Sequence, residues 1–246
     1  MACAEWEWRG YPSWLLKNPD IVVRSSDPAY MRAVRVWMHR LGRELAPLQA
    51  GNGGPMIAVQ VDNEYGSFGK DHAYVGQMHH LFLDSGFTKA LLYIADGPAQ
   101  IQNGSLPELP AVANFGVGDA KIAFKELKKL RPSGPFMSGE YWDSWFDHWG
   151  DNHNTTDVKQ TAEELEWMLK QGYSVNLYMF EGGTSFGWVN GANYSNKTGY
   201  LPDVTSCEYA PLSESGQPTP KYMTMRTVIA EATGITPLPI PAAPPS

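Results

Sequence analysis

Short apolar runs alternate with amphipathic stretches along this chain, and the two periods set the elements to expect. Met1–Trp6 reads as the end of a strand. Asp27 followed by Pro28 starts a helix, with a capping residue ahead of a first-turn proline. The apolar face of that helix is Met31, Val34, Trp37, Met38, Leu41 and Leu45, at spacings of three and four. Pro55–Asp62 is the second expected strand, and Asp71–Asp84 a helix with Tyr74, Met78, Leu81 and Phe82 aligned. Ala90–Ala95 and Ala111–Phe115 follow as strands, and Asp119 caps a helix over Ala120–Leu130. Pro135–Gly139 is the fifth strand, and Thr156 caps a helix that runs to about Lys170 and stops at Gly172. Ser174–Phe180 is the sixth strand, and a Gly- and Asn-rich stretch then extends to about Gly216. A last helix starts near Pro220 and ends by Gly234. Residues 1–234 thus form one αβ unit, and 235–246 a proline-rich linker or tail.

Strands that alternate with helices imply a parallel sheet, either open and doubly wound or closed into a barrel. The chain contains neither a Gly-x-Gly-x-x-Gly nor a Walker-type loop, which weakens the nucleotide-binding open sheet. Candidate functional residues at the ends of several different strands favour the (β/α)8 barrel. The 246 residues, 43% hydrophobic, suffice for one sizeable core. A formal net charge of −7 removes the basic footprint of a nucleic-acid binder. No apolar run approaches the roughly 18 residues of a membrane helix. The first residues lack the basic-then-apolar pattern of a signal peptide, so no compartment is indicated. Cys3 and Cys207 are the only cysteines, and one possible disulfide decides nothing.

The candidate chemistry lies in two glutamates, each placed where an apolar run closes. Glu64 ends Pro55–Asn63, and Glu140 ends Gly134–Gly139. A carboxylate in such a place needs a partner or a task, and two of them facing one cleft are the basic equipment of a glycoside hydrolase. The bland alternative for either is a carboxylate that caps a helix. Aromatic residues make up 12% of the chain, and Tyr141, Trp142, Trp145, Phe146 and Trp149 cluster after Glu140. Flat rings fill cores, and they also suit the apolar faces of sugars. Asp143, Asp147 and His148 read as hydrogen-bonding support for neighbouring groups, and Glu181 as part of a wall. His148 and His153 lack a helix and a cysteine partner, which argues against a metal site. His79 and His80 read as a solvated helix face.

Several ordered blocks carry a resemblance: Cys3-Ala-Glu-Trp6, Pro12-Ser-Trp-Leu-Leu16, Arg24-Ser-Ser-Asp27, Gln60-Val-Asp-Asn-Glu-Tyr-Gly66, Trp145-Phe-Asp-His-Trp-Gly150, Leu177-Tyr-Met-Phe180, Gly182-Gly-Thr-Ser-Phe186, Asn190-Gly-Ala-Asn193 and Ala210-Pro-Leu212. In that order they resemble the catalytic barrel of glycoside hydrolase family 35, the retaining β-galactosidases. The resemblance implies an incomplete (β/α)8 barrel, with about strands three to eight present. It implies Glu64 as general acid/base and Glu140 as nucleophile. Asn63 would bind the sugar's 2-hydroxyl, Cys3, Ala4 and Glu5 would recognise galactose hydroxyls, and Tyr178 and Tyr209 would line the sugar site. For Glu5 a structural ion pair is the alternative. The substrate would be a terminal β-galactoside, with no metal or organic cofactor. Cys207-Glu208, Asp62 and Ser144 depart from the family pattern but leave both glutamates in place. The family's first two βα units and its C-terminal β-sandwich domains have no counterpart here. The chain is therefore expected to be part of a longer enzyme, with a non-catalytic galactoside binder as the alternative.

Overall fold

A computed structural model describes residues 11–184, 191–206 and 209–240. The strand expected at Met1–Trp6 lies outside these residues. Five parallel strands form the main sheet: β1 (Ala58–Asn63), β2 (Leu91–Asp96), β3 (Ala111–Gly116), β4 (Met137–Trp142) and β5 (Ser174–Leu177). Their spatial order is their order in the chain, and every neighbouring pair is parallel. Each connection must therefore cross over the sheet, and helices carry most of them. A doubly wound sheet reverses its strand order part-way across, whereas this one does not. It is the progression of a (β/α)8 barrel, present as an arc of five strands.

The helices are α1 (Pro28–Leu45), α2 (Tyr65–Phe68), α3 (His72–Asp84), α4 (Ile101–Gly104), α5 (Ala120–Leu130), α6 (Val158–Lys170) and α7 (Pro220–Thr233). One core cluster packs Met31, Val34 and Met38 of α1 and Tyr74, Val75 and Met78 of α3 against Val61 and Ile94 of the sheet. A second packs Phe124 and Leu127 of α5, Leu165 and Met168 of α6 and Met225 of α7 against Ala113, Phe115 and Tyr141. Side chains alternate across a strand. Because Ala113, Phe115 and Tyr141 face the helices, Asn114 and Glu140 turn to the other face of the sheet.

Several elements differ from the expectation. The strand expected at Pro135–Gly139 runs instead from Met137 to Trp142, so Glu140 sits within the strand and not after it. Pairing with β3 continues past a register shift at Ala113/Asn114 and joins Asn114 to Glu140, Phe115 to Tyr141 and Gly116 to Trp142. The strand at Ser174 stops at Leu177. The cap of α6 is Asp157, whose side chain accepts from the Gln160 amide, while Thr156 donates to the Asp143 carbonyl. The Asp119 side chain does not cap α5. Glu164 of α6 reaches over to do so, accepting from the Gly118 and Ala120 amides at 2.9 Å each and from the Tyr141 hydroxyl at 3.0 Å. The Gly- and Asn-rich stretch also holds two small antiparallel pairs, β6 (Gly183–Thr184) with β9 (Thr205–Ser206) and β7 (Ala192–Ser195) with β8 (Gly199–Pro202). Two-residue strands and exposed turns carry too weak an alternation to be read beforehand.

Gly234 ends α7 in the left-handed region, at φ 71°. Beyond it Ile235 and Pro237 line an apolar hollow with Leu177, Phe180 and Tyr222. Glu164→Ala should lower stability by about 1–3 kcal/mol, because it leaves the Gly118 and Ala120 amides without their side-chain acceptor and the Tyr141 hydroxyl with only the Thr161 carbonyl. Urea denaturation measures this, and an unchanged midpoint would contradict the role given to Glu164.

Candidate active site

Glu64 follows directly on β1, at φ 46° and ψ 43°. A side chain other than glycine in this left-handed region costs of order 1–3 kcal/mol and persists only where the surroundings enforce it. The enforcement is visible on every side. The Glu64 amide donates to the Ala95 carbonyl of β2 at 3.1 Å. The Ser67 amide and hydroxyl both donate to the Glu64 carbonyl, at 3.1 and 2.8 Å. Although Glu64 stands at the head of α2, its side chain makes no capping bond there. Its Oε1 instead accepts from Asn114 Nδ2 at 3.0 Å.

Asn114 joins the two glutamates. Its side chain holds Glu64, and its backbone lies in register with Glu140 on the adjacent strand. Glu140 is 9% exposed, and its Oε2 accepts from the Trp142 indole at 2.9 Å. Burial, followed by the charge of Glu140, raises the pKa of the Tyr93 phenol above its ordinary value, so Tyr93 lies within that carboxylate's field.

Beneath Glu64 is a buried ion pair. Arg24, 1% exposed and itself at φ 51°, donates to Asp62 Oδ1 at 3.0 Å and to the Asn63 carbonyl at 2.5 Å. Its guanidinium lies over the rings of Phe68 and Tyr65, 4.7 and 5.4 Å from their centroids. Tyr74 donates to Asp62 Oδ2 at 3.0 Å, and the Asn63 amide donates to Asp62 Oδ1 at 2.8 Å. Burial raises the Asp62 pKa, while Arg24 and then the Tyr74 hydroxyl oppose the rise. Asn63 receives a further bond on Oδ1 from Gln60 Nε2, at 2.9 Å. The residues on both sides of the β1 terminus are thus tied down before Glu64 begins.

On the Glu140 side, a chain of rings runs away from Trp142. Trp142 and Trp145 have centroids 5.3 Å apart, Trp145 and Phe146 4.5 Å, and Phe146 and His148 5.4 Å. His148 Nε2 is 2.8 Å from Asn193 Oδ1 and 3.2 Å from Asp203 Oδ1, which ties this block to β7 and the turn after β8. Asp147 Oδ2 pairs with His153 at 2.7 Å, and its Oδ1 accepts from the Asn154 amide at 2.5 Å. Asp147 and His148 thus make the supporting hydrogen bonds expected of them. Among the described residues no group of three His, Cys, Asp or Glu converges as a metal site. Asp143 is fully buried, and burial pushes its carboxyl up to about 7 against the opposing charge of Lys221. Lys221, 3% exposed, donates to the Asp143 carbonyl, to Thr156 Oγ1 and, at 2.7 Å, to the Tyr209 carbonyl.

Of the expected sugar-binding residues, Asn63 abuts Glu64 at the end of β1, and Tyr178 follows β5, its amide bonded to the Tyr141 carbonyl at 2.9 Å. Tyr209 is at φ 60°, and its ring is 6.0 Å from that of His153. Cys3, Ala4, Glu5, Cys207 and Glu208 lie outside the described residues. Glu181 makes a parallel bridge to Leu212. His79 does not belong to a solvated face: its side chain is 14% exposed and lies 3.9 Å from Glu108, because it faces the buried side of α3. Asn114, Asp96 and the Arg24–Asp62 pairing were not anticipated. A polar Asn inside the apolar run Ala111–Phe115 was the available signal for the first.

The model of Glycosyl hydrolases family 35 matches residues 1–232. A β-galactosidase from Xanthomonas manihotis is 52% identical over 244 residues, covering 98% of this chain and 41% of that protein. A β-galactosidase-1-like protein and a β-galactosidase from Mus musculus are 45% and 43% identical, with 99% of this chain and 38% of each relative covered. Among solved structures, a β-D-glucuronidase from Dictyoglomus thermophilum is similar with a TM-score of 0.57 at 12% identity, over 89% of this chain and 38% of that one. A GH2 β-galacturonidase from Eisenbergiella tayi is similar at 0.52 and 13%, over 86% and 38%. These two likenesses establish the barrel fold and nothing finer. The chain belongs to glycosyl hydrolase family 35. It spans about two fifths of the length of these relatives.

Arg24→Met should destabilise the chain by about 3–5 kcal/mol, since it strands Asp62 in a buried position. Adding Asp62→Asn should restore a large part of the loss. Denaturation of the single and double variants checks this, and equal, additive losses would contradict the pairing.

Proposed function

We propose that this chain supplies the catalytic carboxyls of a retaining β-galactosidase that releases terminal β-linked galactose. The observation that carries the reading is Asn114, hydrogen-bonded to Glu64 and in register with Glu140 on the inner face of the sheet. Membership of family 35 and relatives named β-galactosidase support the substrate class.

In this reading Glu140, as the carboxylate, attacks the anomeric carbon. Protonated Glu64 gives its proton to the departing glycosidic oxygen, leaving a galactosyl ester on Glu140. Glu64, now ionised, takes a proton from water, which attacks the same carbon and releases galactose with net retention. This route requires the two carboxyls to lie about 5–5.5 Å apart. Each holds a donor on one oxygen, Asn114 on Glu64 and the Trp142 indole on Glu140, which fixes the orientation of both groups. Esterification removes the Glu140 charge, which leaves Glu64 as the carboxylate that takes the proton from water. Asn63 binds the 2-hydroxyl, Tyr178 and Tyr209 line the sugar, and Cys3, Ala4 and Glu5 take the galactose hydroxyls. The chemistry draws on carboxyls and water alone.

A second reading is a galactoside binder without turnover. Calorimetry with galactose beside an aryl-galactoside assay separates the two: binding with no turnover supports the binder, and turnover excludes it. Glu140→Gln should reduce hydrolysis of every galactoside to background. Glu64→Gln should slow poor leaving groups by about 10²–10⁴-fold while largely sparing activated aryl galactosides. Normal turnover in Glu140→Gln would sink the assignment.

A further inference from the structure

We propose that Asp96 is a positioning residue for the Glu64 turn: held as the neutral acid between two glycines, it anchors the Gly66 amide and adds no further negative charge beside Glu64. The proposal rests on the reading of Glu64 given above, but its observations are separate. Asp96 closes β2 and is fully buried. Its Oδ1 accepts from the Gly66 amide at 2.5 Å, and its Oδ2 has no hydrogen-bond partner among the described residues. The carboxyl fits only because its neighbours lack side chains. A Cβ on Gly66 would stand 2.7 Å from Oδ1, and one on Gly104 only 2.1 Å from Oδ2. Helices α2 and α4 therefore close over Asp96 with bare backbone and leave no room for water.

The charged groups that bear on Asp96 are Glu64 at the head of α2, Asp62 of β1 and Arg24. Ala113, its register partner on β3, and Ile101–Gly104 of α4 bring none. Arg24, the one cation, is already engaged by Asp62. Burial pushes the Asp96 carboxyl up to about 8, with the Gly66 amide opposing and the charge of Glu64 adding to the rise. Gly66 lies two residues beyond Glu64, so the anchor acts on the turn that sets the direction of that side chain. An ionised Asp96 would add a negative charge beside Asp62, and beside Glu64 once that group has given up its proton.

The sign of the pH dependence follows. A carboxyl raised in the folded state contributes stability that is complete below the ordinary carboxylate range, about pH 4, and is lost as pH rises toward 8. The full chain, Asp96→Asn and Asp96→Ala should be compared by thermal midpoint from pH 5 to pH 9, and by kcat/KM on 4-nitrophenyl β-galactoside over the same range. The midpoint of Asp96→Asn relative to the parent should rise with pH up to about 8 and then level off, because the amide cannot ionise. Asp96→Ala should lose roughly ten- to hundredfold in kcat/KM. Asp96→Asn should recover most of that loss and move the alkaline limb to higher pH. A midpoint difference that stays constant with pH would overturn the neutral acid, and an unimpaired Asp96→Ala would overturn the anchor. Should Asp96→Ala fail to fold, the Asp96→Asn midpoints and alkaline limb decide. A parent chain that hydrolyses no galactoside would defeat the galactosidase reading, while the midpoint comparison would still decide the state of Asp96.

Discussion

The contact on which the rest depends is the 3.0 Å hydrogen bond from Asn114 to Glu64. Residues 64 and 114 sit 50 positions apart, and neither β1 nor β3 touches the other directly, because β2 lies between them. Only a sheet whose strands follow chain order, with a register shift at Asn114 and its amide on the inner face, brings that group to Glu64. The same shift lines Asn114 up with Glu140. A slip of one residue would turn both polar groups toward Phe124 and Leu165, where a carboxylate could not be solvated.

Around this contact the chain accepts local cost for placement. Arg24, Glu64 and Tyr209 all occupy positive φ without being glycine. Two of the three adjoin the end of β1, where a buried ion pair, a buried phenol and two ring faces converge. A hydrophobic cluster of equal volume would often be no less stable than such a pair. What the pair adds is direction: Arg24 bonds the Asn63 carbonyl and Asp62 the Asn63 amide, so both sides of that residue are fixed. On the opposite side Lys221 performs a comparable task, joining the segment after β4 to Thr156 and Tyr209.

Elements with a strong period were legible in the sequence. Helix α1 begins at Pro28, with Asp27 accepting from the Tyr30 amide, as the cap-and-proline pattern indicates. Strands β1 to β3 lie within a few residues of their apolar runs. The misses share a physical cause. Charge is disfavoured in strand interiors, so the pattern ends the strand before Glu140, yet β4 continues through it with Glu140 on the face turned away from the helices. Asp119 stands where a cap belongs, yet the acceptor comes from Glu164, 45 residues away, and local pattern carries no such information. Glu64 and Glu140 could be singled out from their surroundings, and Asn63 only through the resemblance. Asp96 could not, since its meaning depends on Gly66 and Gly104 closing over it in three dimensions.

The central claim is that Glu140 forms the covalent bond to the sugar. Treating the protein with a 2-deoxy-2-fluoro-β-galactosyl fluoride, which slows release of the ester more than its formation, and mapping the labelled peptide by mass spectrometry tests this directly. The account predicts one added fluorogalactosyl group, carried on Glu140. A label on any other carboxylate, or brisk turnover of an activated galactoside with no labelled peptide at all, would contradict it.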